Sequence, residues 1–140
     1  MSDVFGFFQE YRFLSNFHMA TVELDGLEYA STEHAYQAAK TLDPAERKQI
    51  RESLQAKDAK RLGKKITMRA DWDEVKVSVM KDLVLQKFSK HEELKEKLLA
   101  TGDAHLEETN TWNDTFWGVC RGKGQNWLGK ILMEVRKELQ

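Results

Sequence analysis

A ten-residue segment from Ser31 to Lys40 carries a carboxylate, an amide and an amine at helical spacing. On an α-helix Glu33, Gln37 and Lys40 point to one side, because they are four and three residues apart. A rise of ~1.5 Å per residue separates Glu33 from Lys40 by about 10 Å along the axis, and Lys40 leans back toward Gln37. A carboxylate, an amide and an amine on one stripe suit a polar cleft better than a core, and a sugar ring bound there could touch both charged groups. A Glu and a Lys that only complement the dipole of a short helix give the same pattern, so this alternative stays open.

The residues around this segment do not favour metal chemistry. His34 is adjacent to Glu33 and lies about 100° around the helix from it, so we expect a structural role for His34. The sequence contains neither His-Glu-x-x-His nor Cys-x-x-Cys, which are spacings typical of zinc sites. We therefore expect no metal and no cofactor.

A second polar segment precedes the last predicted helix and contains an acid, an aromatic ring and a glycine pair. Asp114 supplies a carboxylate. Trp117 offers a flat surface to a base or a ribose, although a core position for this ring is equally open. Gly122 and Gly124 come just before a candidate helix cap, Asn126, and free backbone N–H groups there would cradle a phosphate. A Gly-x-Gly pair alone is a weak signal.

A third segment, from Arg12 to Phe17, sets a Ser-Asn pair between two phenylalanines. It fits neither a regular strand nor a helix. Asn16 could offer its amide to a base edge or to a ribose hydroxyl. An Asx-type turn held by Phe13 and Phe17 explains the pattern equally well.

The elements that would position these residues are mostly helices. Alternating residues on either side of Asp25-Gly26 predict a β-hairpin, and the helix of Glu33 follows directly. Capping residues, glycine ends and apolar stripes predict helices over 31–41, from 43 onward, and over 58–62, 72–88, 91–100 and 127–139. The predicted fold class is α+β, a helix-rich single domain over 1–140 with one small antiparallel sheet near the N-terminus.

Composition limits the classes of protein to which the chain can belong. Its 140 residues suffice for one core, and 41% apolar and 32% charged residues exclude collagen-like, disordered and low-complexity classes. One cysteine and the lack of a secretion signal favour the cytoplasm, and no stretch reaches membrane-spanning length. A net charge of −1 argues against a general nucleic-acid coat. Residues 47–69 nevertheless contain nine basic side chains and two acidic ones. This basic segment is either a solvated surface or a region that attracts anionic ligands.

Together the three segments resemble the NADAR (YbiA-like) family. The resemblance covers most of the chain and keeps the order of the motifs. Each block is weak alone, whereas the ordered set is specific. The matching blocks are Phe13 through Phe17, Thr32 through Lys40, Leu62-Gly63, Arg69-x-x-Trp72 leading to Met80 and Lys87-Phe88, Asn113-Asp114-x-x-Trp117-Gly118, and Gly122-x-Gly124-x-Asn126-x-Leu128-Gly129 with Leu132-Met133 and Arg136.

The resemblance implies an N-glycosidase, that is, a hydrolase of N-glycosyl compounds. Members of the family are linked to cleavage of ribosylamino-pyrimidine phosphates, early intermediates of riboflavin biosynthesis, with release of ribose 5-phosphate. Other members remove ADP-ribose from modified guanine in nucleic acid. By resemblance, Lys40 matches the proposed imine-forming nucleophile, Glu33 matches the acid/base carboxylate, and Asp114 is the third catalytic candidate. The candidates for substrate binding are Asn16, Phe17, Gln37, Arg69, Trp72, Trp117, Gly118, Gly122, Gly124 and Asn126.

Two mechanisms and two non-enzymatic interpretations stay open. The imine route needs a neutral Lys40, although a helix C-terminus favours the cation, so burial or neighbouring cations from 47–69 must lower its pKa. Alternatively, Glu33 and Asp114 act as a pair of carboxylates, as in sugar hydrolysis. A non-catalytic ADP-ribose- or nucleotide-binding module, or an interaction domain, would need neither mechanism.

Overall fold

The computed structural model describes residues 2–140 and confirms the α+β class. The described residues form six short strands, six α-helices and a 3₁₀ turn at Gln9–Leu14. The strands are β1 (Val4–Phe5), β2 (Met19–Leu24), β3 (Leu27–Ser31), β4 (Leu106–Glu107), β5 (Thr109–Asn110) and β6 (Val119–Cys120). The helices are α1 (Thr32–Ala39), α2 (Pro44–Arg51), α3 (Ala56–Leu62), α4 (Trp72–Lys90), α5 (Glu92–Ala100) and α6 (Trp127–Leu139).

The chain divides into two compact units. The middle unit is Asn16–Lys87, and the terminal unit combines the residues before Asn16 with Phe88–Gln140. Each unit has its own buried apolar residues. The prediction of one domain over 1–140 stays a prediction.

In the middle unit, β2 and β3 form the predicted antiparallel hairpin. The turn residues Asp25 and Gly26 have φ of 49° and 85°, the left-handed pair that a type I′ turn requires. Val22 pairs with Tyr29 across the strands, and both side chains are buried. Because β3 runs directly into α1, the hairpin determines where that helix begins.

Helix α1 is the buried centre of the middle unit. All eight of its residues are buried, the polar ones included. The hydroxyl of Ser31 caps its start by accepting the backbone N–H of His34 at 3.1 Å. Ala35, Ala38 and Ala39 are fully buried, and their small side chains permit close packing of α1 against α2 and α3. The small alanine side chains thus allow α1, despite its polar residues, to pack inside the unit.

His34 has the structural role that its position predicts. Its Nε2 lies 3.0 Å from the backbone oxygen of Ser53, and its Nδ1 lies 2.7 Å from the Ser31 hydroxyl. A carbonyl oxygen can only accept, so Nε2 carries the proton and Nδ1 accepts from the hydroxyl. Burial lowers the pKa of His34, which favours this neutral form of the ring.

The terminal unit contains two strand pairs beyond the predicted sheet. β1 pairs with β4 and β5 pairs with β6, both parallel, so residues 2–140 form three two-stranded sheets instead of one. These strands are two residues long, too short to show an alternation of polar and apolar residues. Helix α6 has its predicted bounds. Four residues of its predicted apolar stripe are buried, namely Leu128, Ile131, Leu132 and Val135, whereas the fifth, Leu139, is half-buried. The thiol of Cys120 in β6 is free and buried.

Two other helices differ in detail from their predictions. α3 begins at Ala56 rather than near Asp58, because Asp58 accepts the backbone N–H of Gln55 in a reciprocal cap. α4 has its apolar stripes only partly buried: Trp72, Met80, Leu83, Val84 and Phe88 are buried, whereas Val75, Val77 and Val79 are half-buried. Among the described residues, every helix is too short or too polar to cross a bilayer.

Candidate active site

Glu33 lies in the first turn of α1 with its side chain largely withdrawn from solvent. The residue is 7% exposed, and its backbone N–H donates to the carbonyl of Asn16 at 3.1 Å. Its carboxylate Oε2 accepts a hydrogen bond from Nε2 of Gln37 at 2.6 Å. Glu33 and Gln37 therefore share one side of α1, as their spacing predicts, and the amide orients the carboxylate.

Gly63, at the C-terminal end of α3, packs against that same amide. Its backbone is right-handed, with φ of −61° and ψ of −17°, so conformation does not require a glycine. Space does, because a Cβ at position 63 would overlap Oε1 of Gln37. This oxygen is buried and has no hydrogen-bond partner within the described chain. The amide of Gln37 is thus wedged between Gly63 and Glu33, with its nitrogen directed at the carboxylate.

Lys40 follows α1 directly and is half-buried. Its Nζ lies 5.2 Å from the centroid of the Tyr36 ring, and that ring packs 5.3 Å from Trp72. Burial is the main cause that lowers the pKa of Lys40. Glu33 opposes it, and the cations Lys60 and Lys76 add to it. The pKa therefore shifts in the direction that a nucleophilic amine needs.

Arg69 holds the C-terminal end of α1. Its backbone N–H donates to the carbonyl of Lys40 at 2.7 Å, and Nη1 lies 3.4 Å from the carbonyl of Ala39. The guanidinium also pairs with both oxygens of Asp71 at 2.6 and 3.0 Å. These bonds position the backbone of Lys40, while the predicted contact of Arg69 with substrate stays a prediction.

Asn16 and Phe17 lie beside the start of α1. The carbonyl of Asn16 accepts the N–H of Glu33, as described, and its Nδ2 lies 3.4 Å from Sδ of Met80. Phe17 is half-buried, with Nζ of Lys60 5.9 Å from its ring centroid. This residue pair thus brings α1, α3 and α4 together around the Glu33 end of the helix.

In the terminal unit, Asp114 organises a turn. Its Oδ1 accepts the N–H groups of Phe116 at 3.2 Å and of Trp117 at 2.9 Å. Its own carbonyl accepts from the amide of Asn110 at 2.9 Å. Trp117 is half-buried and meets Phe116 edge-on at 4.8 Å. Gly118 follows, where a Cβ would overlap Glu108.

Gly122 lies in a tight hairpin turn, and Gly124 follows that turn by one residue. Arg121 and Gly122 have φ of 53° and 77°, and the backbones of Cys120 and Lys123 bond to each other at 2.8 and 3.0 Å. The N–H groups of residues 125–128 donate to carbonyls of residues 115–118. The prediction of free backbone N–H groups at the start of α6 is therefore wrong, because these groups donate to carbonyls of a neighbouring segment. Substrate binding by Gly122 and Gly124 stays a prediction.

Asn126 occupies the predicted N-cap position of α6 but uses its side chain elsewhere. Its backbone is left-handed, with φ of 53°. Oδ1 accepts the N–H of Glu108 and Nδ2 donates to the carbonyl of Leu106, both at 3.0 Å. The side chain thus ties α6 to β4 and the residue that follows it.

The structure places the predicted residues in two groups. Asn16, Phe17, Glu33, Gln37, Lys40, Arg69 and Trp72 belong to the middle unit. Asp114, Trp117, Gly118, Gly122, Gly124 and Asn126 belong to the terminal unit. Within the first group Glu33 contacts Gln37 and acts on Lys40, and within the second Asp114 contacts Trp117. Among the described residues, no cluster of three or more His, Cys, Asp or Glu side chains could hold a metal ion.

Sequence reasoning did not single out four residues of the middle-unit site. Tyr36 stands four residues before Lys40, so helical spacing could have found it. Gly63 is predicted as the end of a helix and belongs to one of the matching family blocks, but neither pattern indicates its contact with Gln37. Lys60 and Lys76 carried no sign that distinguished them from other lysines, since their place beside Lys40 depends on how the helices pack.

The chain is similar to known proteins over nearly its whole length. The model of the NADAR domain matches residues 4–140. The chain is 40% identical over 133 residues to N-glycosidase YbiA of Escherichia coli, covering 93% of this chain and 82% of that protein. It is also 40% identical over 138 residues to N-glycosidase Npun_R5314 of Nostoc punctiforme, covering 94% and 88%.

Two further similarities concern a longer protein and a solved structure. Riboflavin biosynthesis protein VVA0006 of Vibrio vulnificus is 38% identical over 135 residues, which cover 94% of this chain and 36% of that protein. The NMR structure of E. coli YbiA superimposes with a TM-score of 0.87 at 37% identity, covering 99% of this chain and 86% of that one. With a family model that spans nearly the whole sequence, and with relatives this similar in sequence and structure, the chain belongs to the NADAR family.

Proposed function

We propose that this protein is an N-glycosidase that hydrolyses the N-glycosidic bond of ribosylamino-pyrimidine phosphates and releases ribose 5-phosphate. One observation carries the proposal. The carboxylate of Glu33 and the amine of Lys40 stand at opposite ends of one buried helix, and burial lowers the pKa of the amine. The names of the relatives, N-glycosidase and riboflavin biosynthesis protein, support this class of reaction and of substrate.

The reaction would begin with opening of the ribose ring, which makes C1 an imine carbon. The neutral amine of Lys40 adds to C1, and the pyrimidine amine leaves with a proton from Glu33, so that an imine to Lys40 replaces the bond to the base. Water then adds to C1, with Glu33 moving the protons. The carbon–nitrogen bond to Lys40 breaks, and ribose 5-phosphate and the free amine are released. One water is consumed, and no other reagent is needed.

Several of the residues described above have a role in this scheme. Gln37 and the backbone contact with Asn16 hold Glu33 in position. The Tyr36 ring lies near the amine of Lys40, and aromatic rings of this kind suit the flat base and the sugar. We assign Asp114 and Trp117 to contacts with the substrate, and Asp114 to catalysis only in the alternative route through two carboxylates. The whole chain would act as one domain, since the family model spans residues 4–140.

A second candidate substrate is guanine carrying ADP-ribose in nucleic acid. Exposed cations on and after α3, among them Arg61, Lys64 and Lys65, would attract a polyanion. The same Glu33 and Lys40 chemistry would release the ADP-ribose. An oligonucleotide with the adduct, assayed beside the pyrimidine substrates, distinguishes the two.

The test is a panel of substrates with purified protein and two variants. We expect the wild type to release free pyrimidine and ribose 5-phosphate, measured by chromatography and mass spectrometry. Glu33→Gln and Lys40→Ala should lose this activity while they stay folded. Folded protein that turns over none of the pyrimidine substrates refutes the proposal. Tight nucleotide binding that survives Lys40→Ala without any product would indicate a binding module instead.

A further inference from the structure

Three consecutive carbonyls at the end of α1 accept hydrogen bonds from donors outside that helix. The last carbonyls of an α-helix have no partner within the helix itself. Those of Lys40 and Ala39 accept from Arg69, as described above, at 2.7 and 3.4 Å. The carbonyl of Thr41, the next along the chain, accepts the Nε–H of Arg47 at 2.7 Å. The end of α1 is therefore held from outside by two arginines.

The bonds that α1 itself makes at this end are weak ones. The N–H of Lys40 donates to the carbonyl of Gln37 at 3.2 Å, and the N–H of Thr41 donates to that of Ala38 at 3.2 Å. Each bond joins residues three apart, which is the 3₁₀ pattern, and its geometry is poorer than that of an α-helix. The backbone that carries the amine of Lys40 therefore depends on contacts beyond its own helix.

The carboxylate of Glu46, in the first turn of α2, joins this end of α1 to another segment of the middle unit. Its Oε1 accepts the hydroxyl of Thr41 at 2.6 Å. Both of its oxygens accept the backbone N–H of Thr67, at 3.0 and 3.1 Å, and Oε2 also accepts the Thr67 hydroxyl at 3.2 Å. Glu46 therefore ties the residue after Lys40 to the segment 63–71, which lies between α3 and α4.

Glu46 occupies the position from which a glutamate often caps its own helix. Asp43 is the N-cap of α2, and its Oδ1 accepts the N–H of Ala45 at 2.9 Å. In a capping box, the glutamate three residues later accepts the backbone N–H of the N-cap residue. Here the N–H of Asp43 donates to the hydroxyl oxygen of Thr41 instead, at 3.1 Å. The carboxylate of Glu46 is therefore directed at the end of α1 and not at the start of α2.

Burial and charge make the bond between Thr41 and Glu46 hard for water to replace. Thr41 is fully buried, so its hydroxyl would lose a partner without Glu46. The bond from Thr41, and then the bond from Thr67, lower the pKa of Glu46, so that this group is a carboxylate at neutral pH. A hydrogen bond to a carboxylate is about twice as strong as one between neutral groups. Loss of this acceptor should therefore loosen the end of α1.

We propose that Glu46 is a positioning residue for the reaction, which holds the end of α1, and with it the amine of Lys40, at the place where C1 of the sugar is attacked. This inference rests on the function proposed above. Glu46 acts through Thr41, the residue after Lys40. It also acts through Thr67, two residues before the arginine that bonds the Lys40 carbonyl. A shift of about 1 Å in a reacting group can slow a reaction by about 10²-fold, so this support matters for the rate.

The kinetic experiment compares Glu46→Gln, Thr41→Val and the double variant with wild type on a ribosylamino-pyrimidine phosphate. Each single variant should lower kcat by about tenfold and leave KM within about twofold, because one charged hydrogen bond is lost and the substrate contacts remain. The double variant should be no slower than the slower single variant, since both changes break the same bond. Glu52→Gln is the matched control, because Glu52 is an exposed carboxylate at the other end of α2. It should keep the wild-type kcat.

The separate effects on kcat and KM distinguish positioning from other roles. A rise in KM at unchanged kcat would show that Glu46 acts on substrate binding, and this result overturns the inference. Losses that multiply in the double variant also overturn it, because Glu46 would then act independently of Thr41. Thr41→Ser keeps the hydroxyl and should retain most of kcat. Circular dichroism and thermal unfolding identify a Thr41 variant that does not fold, in which case Glu46→Gln, at a half-buried position, decides alone.

Hydrogen exchange measured by NMR tests the same contact without turnover. In Glu46→Gln, the amides of Lys40 and Thr41 should exchange about tenfold faster than in wild type, because local opening costs less. The amide of Ala35, in the middle of α1, should keep its rate. Glu52→Gln should change none of these rates.

The two measurements together separate this inference from the proposed reaction. If wild type hydrolyses no substrate but the exchange rates change as expected, the proposed reaction fails and the support of α1 by Glu46 stands. Equal exchange rates in Glu46→Gln and wild type overturn the inference whatever the reaction is. Faster exchange with unchanged kcat in an active enzyme overturns it as well, because the end of α1 would then not need to be held for the attack.

Discussion

Helix α1 and the turn around Asp114 use polar side chains in opposite ways. On α1, Glu33 and Lys40 are ionisable groups on or next to a buried helix, and their neighbours are other side chains. Around Asp114 and Asn126, the side chains mostly bond backbone N–H and C=O groups of their own unit. Buried ionisable groups that do not stabilise a loop are typical of catalytic sites. Amides and carboxylates that bond to the backbone instead stabilise a turn. In the proposed function, the reaction therefore takes place at α1, and the turn supports Trp117.

The largest effect should come from removing the amine on α1. Lys40→Met keeps the length of the side chain without its nitrogen, and we expect kcat to fall by about 10³-fold or more, because the nucleophile is lost. Borohydride added during turnover should trap ribose phosphate on the wild-type peptide that contains Lys40, as seen by mass spectrometry. Lys57→Met, on an exposed lysine, is the control. An adduct on another residue, or unchanged kinetics in Lys40→Met, would remove the covalent route.

The next effect tests whether Glu33 depends on the packing beneath it. In Gly63→Ala the new methyl group overlaps Oε1 of Gln37, so the amide must turn away from the carboxylate. We expect kcat to fall by about 10- to 100-fold, with a changed pH profile and a smaller change in KM.

Gly26→Ala is the matched control for that substitution. Gly26 has φ of 85° and open space around it, so alanine there should cost about 1 kcal/mol of stability through strain and leave kcat intact. A Gly63→Ala protein with wild-type kcat and pH profile would show that Glu33 does not rely on Gln37.

A third effect concerns the pH dependence of the middle unit. Lys87, at the C-terminal boundary of that unit, is fully buried, and burial lowers its pKa to about 7 from the usual 10.5. Between these two values the unfolded chain binds a proton at Lys87 that the native protein does not. Stability should therefore rise with pH from about 7 toward 10.5, by up to about 1.4 kcal/mol per pH unit.

Urea unfolding of wild type and of a Lys87 variant at several pH values measures how the free energy of unfolding changes with pH. In Lys87→Met the titrating group is gone, so the unfolding free energy of wild type minus that of the variant should rise with pH between about 7 and 10.5. A difference that stays constant between pH 7 and pH 9 would show that Lys87 is protonated in the native protein.

The smallest effect should come from the turn. Asp114→Asn keeps an oxygen that can accept the N–H groups of Phe116 and Trp117, so under the imine route we expect kcat within about tenfold of wild type. Asp114→Ala loses that acceptor and should cost about 1 kcal/mol of stability. If Asp114→Asn instead loses as much activity as Glu33→Gln, the two carboxylates act as a pair and the contrast between α1 and the turn is wrong.

Local patterns predicted most of the fold. Asp25-Gly26 specifies the hairpin because a type I′ turn needs two left-handed residues, and the apolar stripe of α6 predicts both its bounds and its buried side. The two parallel strand pairs leave no such pattern. Each strand has only two residues, and the pairing of β1 with β4 joins distant positions, as in Val4 with Leu106.

The candidate site shows the same difference between features that local spacing predicts and features that depend on tertiary packing. Helical spacing alone aligns Glu33 with Gln37. The contact between Gln37 and Gly63 depends on how α1 packs against α3, which no local spacing reveals. A glycine suits a phosphate cradle and a type I′ turn equally well, so the residue type at Gly122 distinguishes neither. The structure shows that Gly122 lies in such a turn and that the N–H groups of residues 125–128 donate to carbonyls.

Cys120 makes the terminal unit open to direct measurement. It is the chain's single cysteine, it is 4% exposed, and it lies in the short strand β6. A thiol reagent can therefore label the native protein only when this strand opens, so the labelling rate reports local opening. No engineered probe is needed. The rate of thiol labelling, followed by absorbance with and without a ligand bound at α1, shows whether that ligand lowers the rate of opening in the segment that carries Trp117.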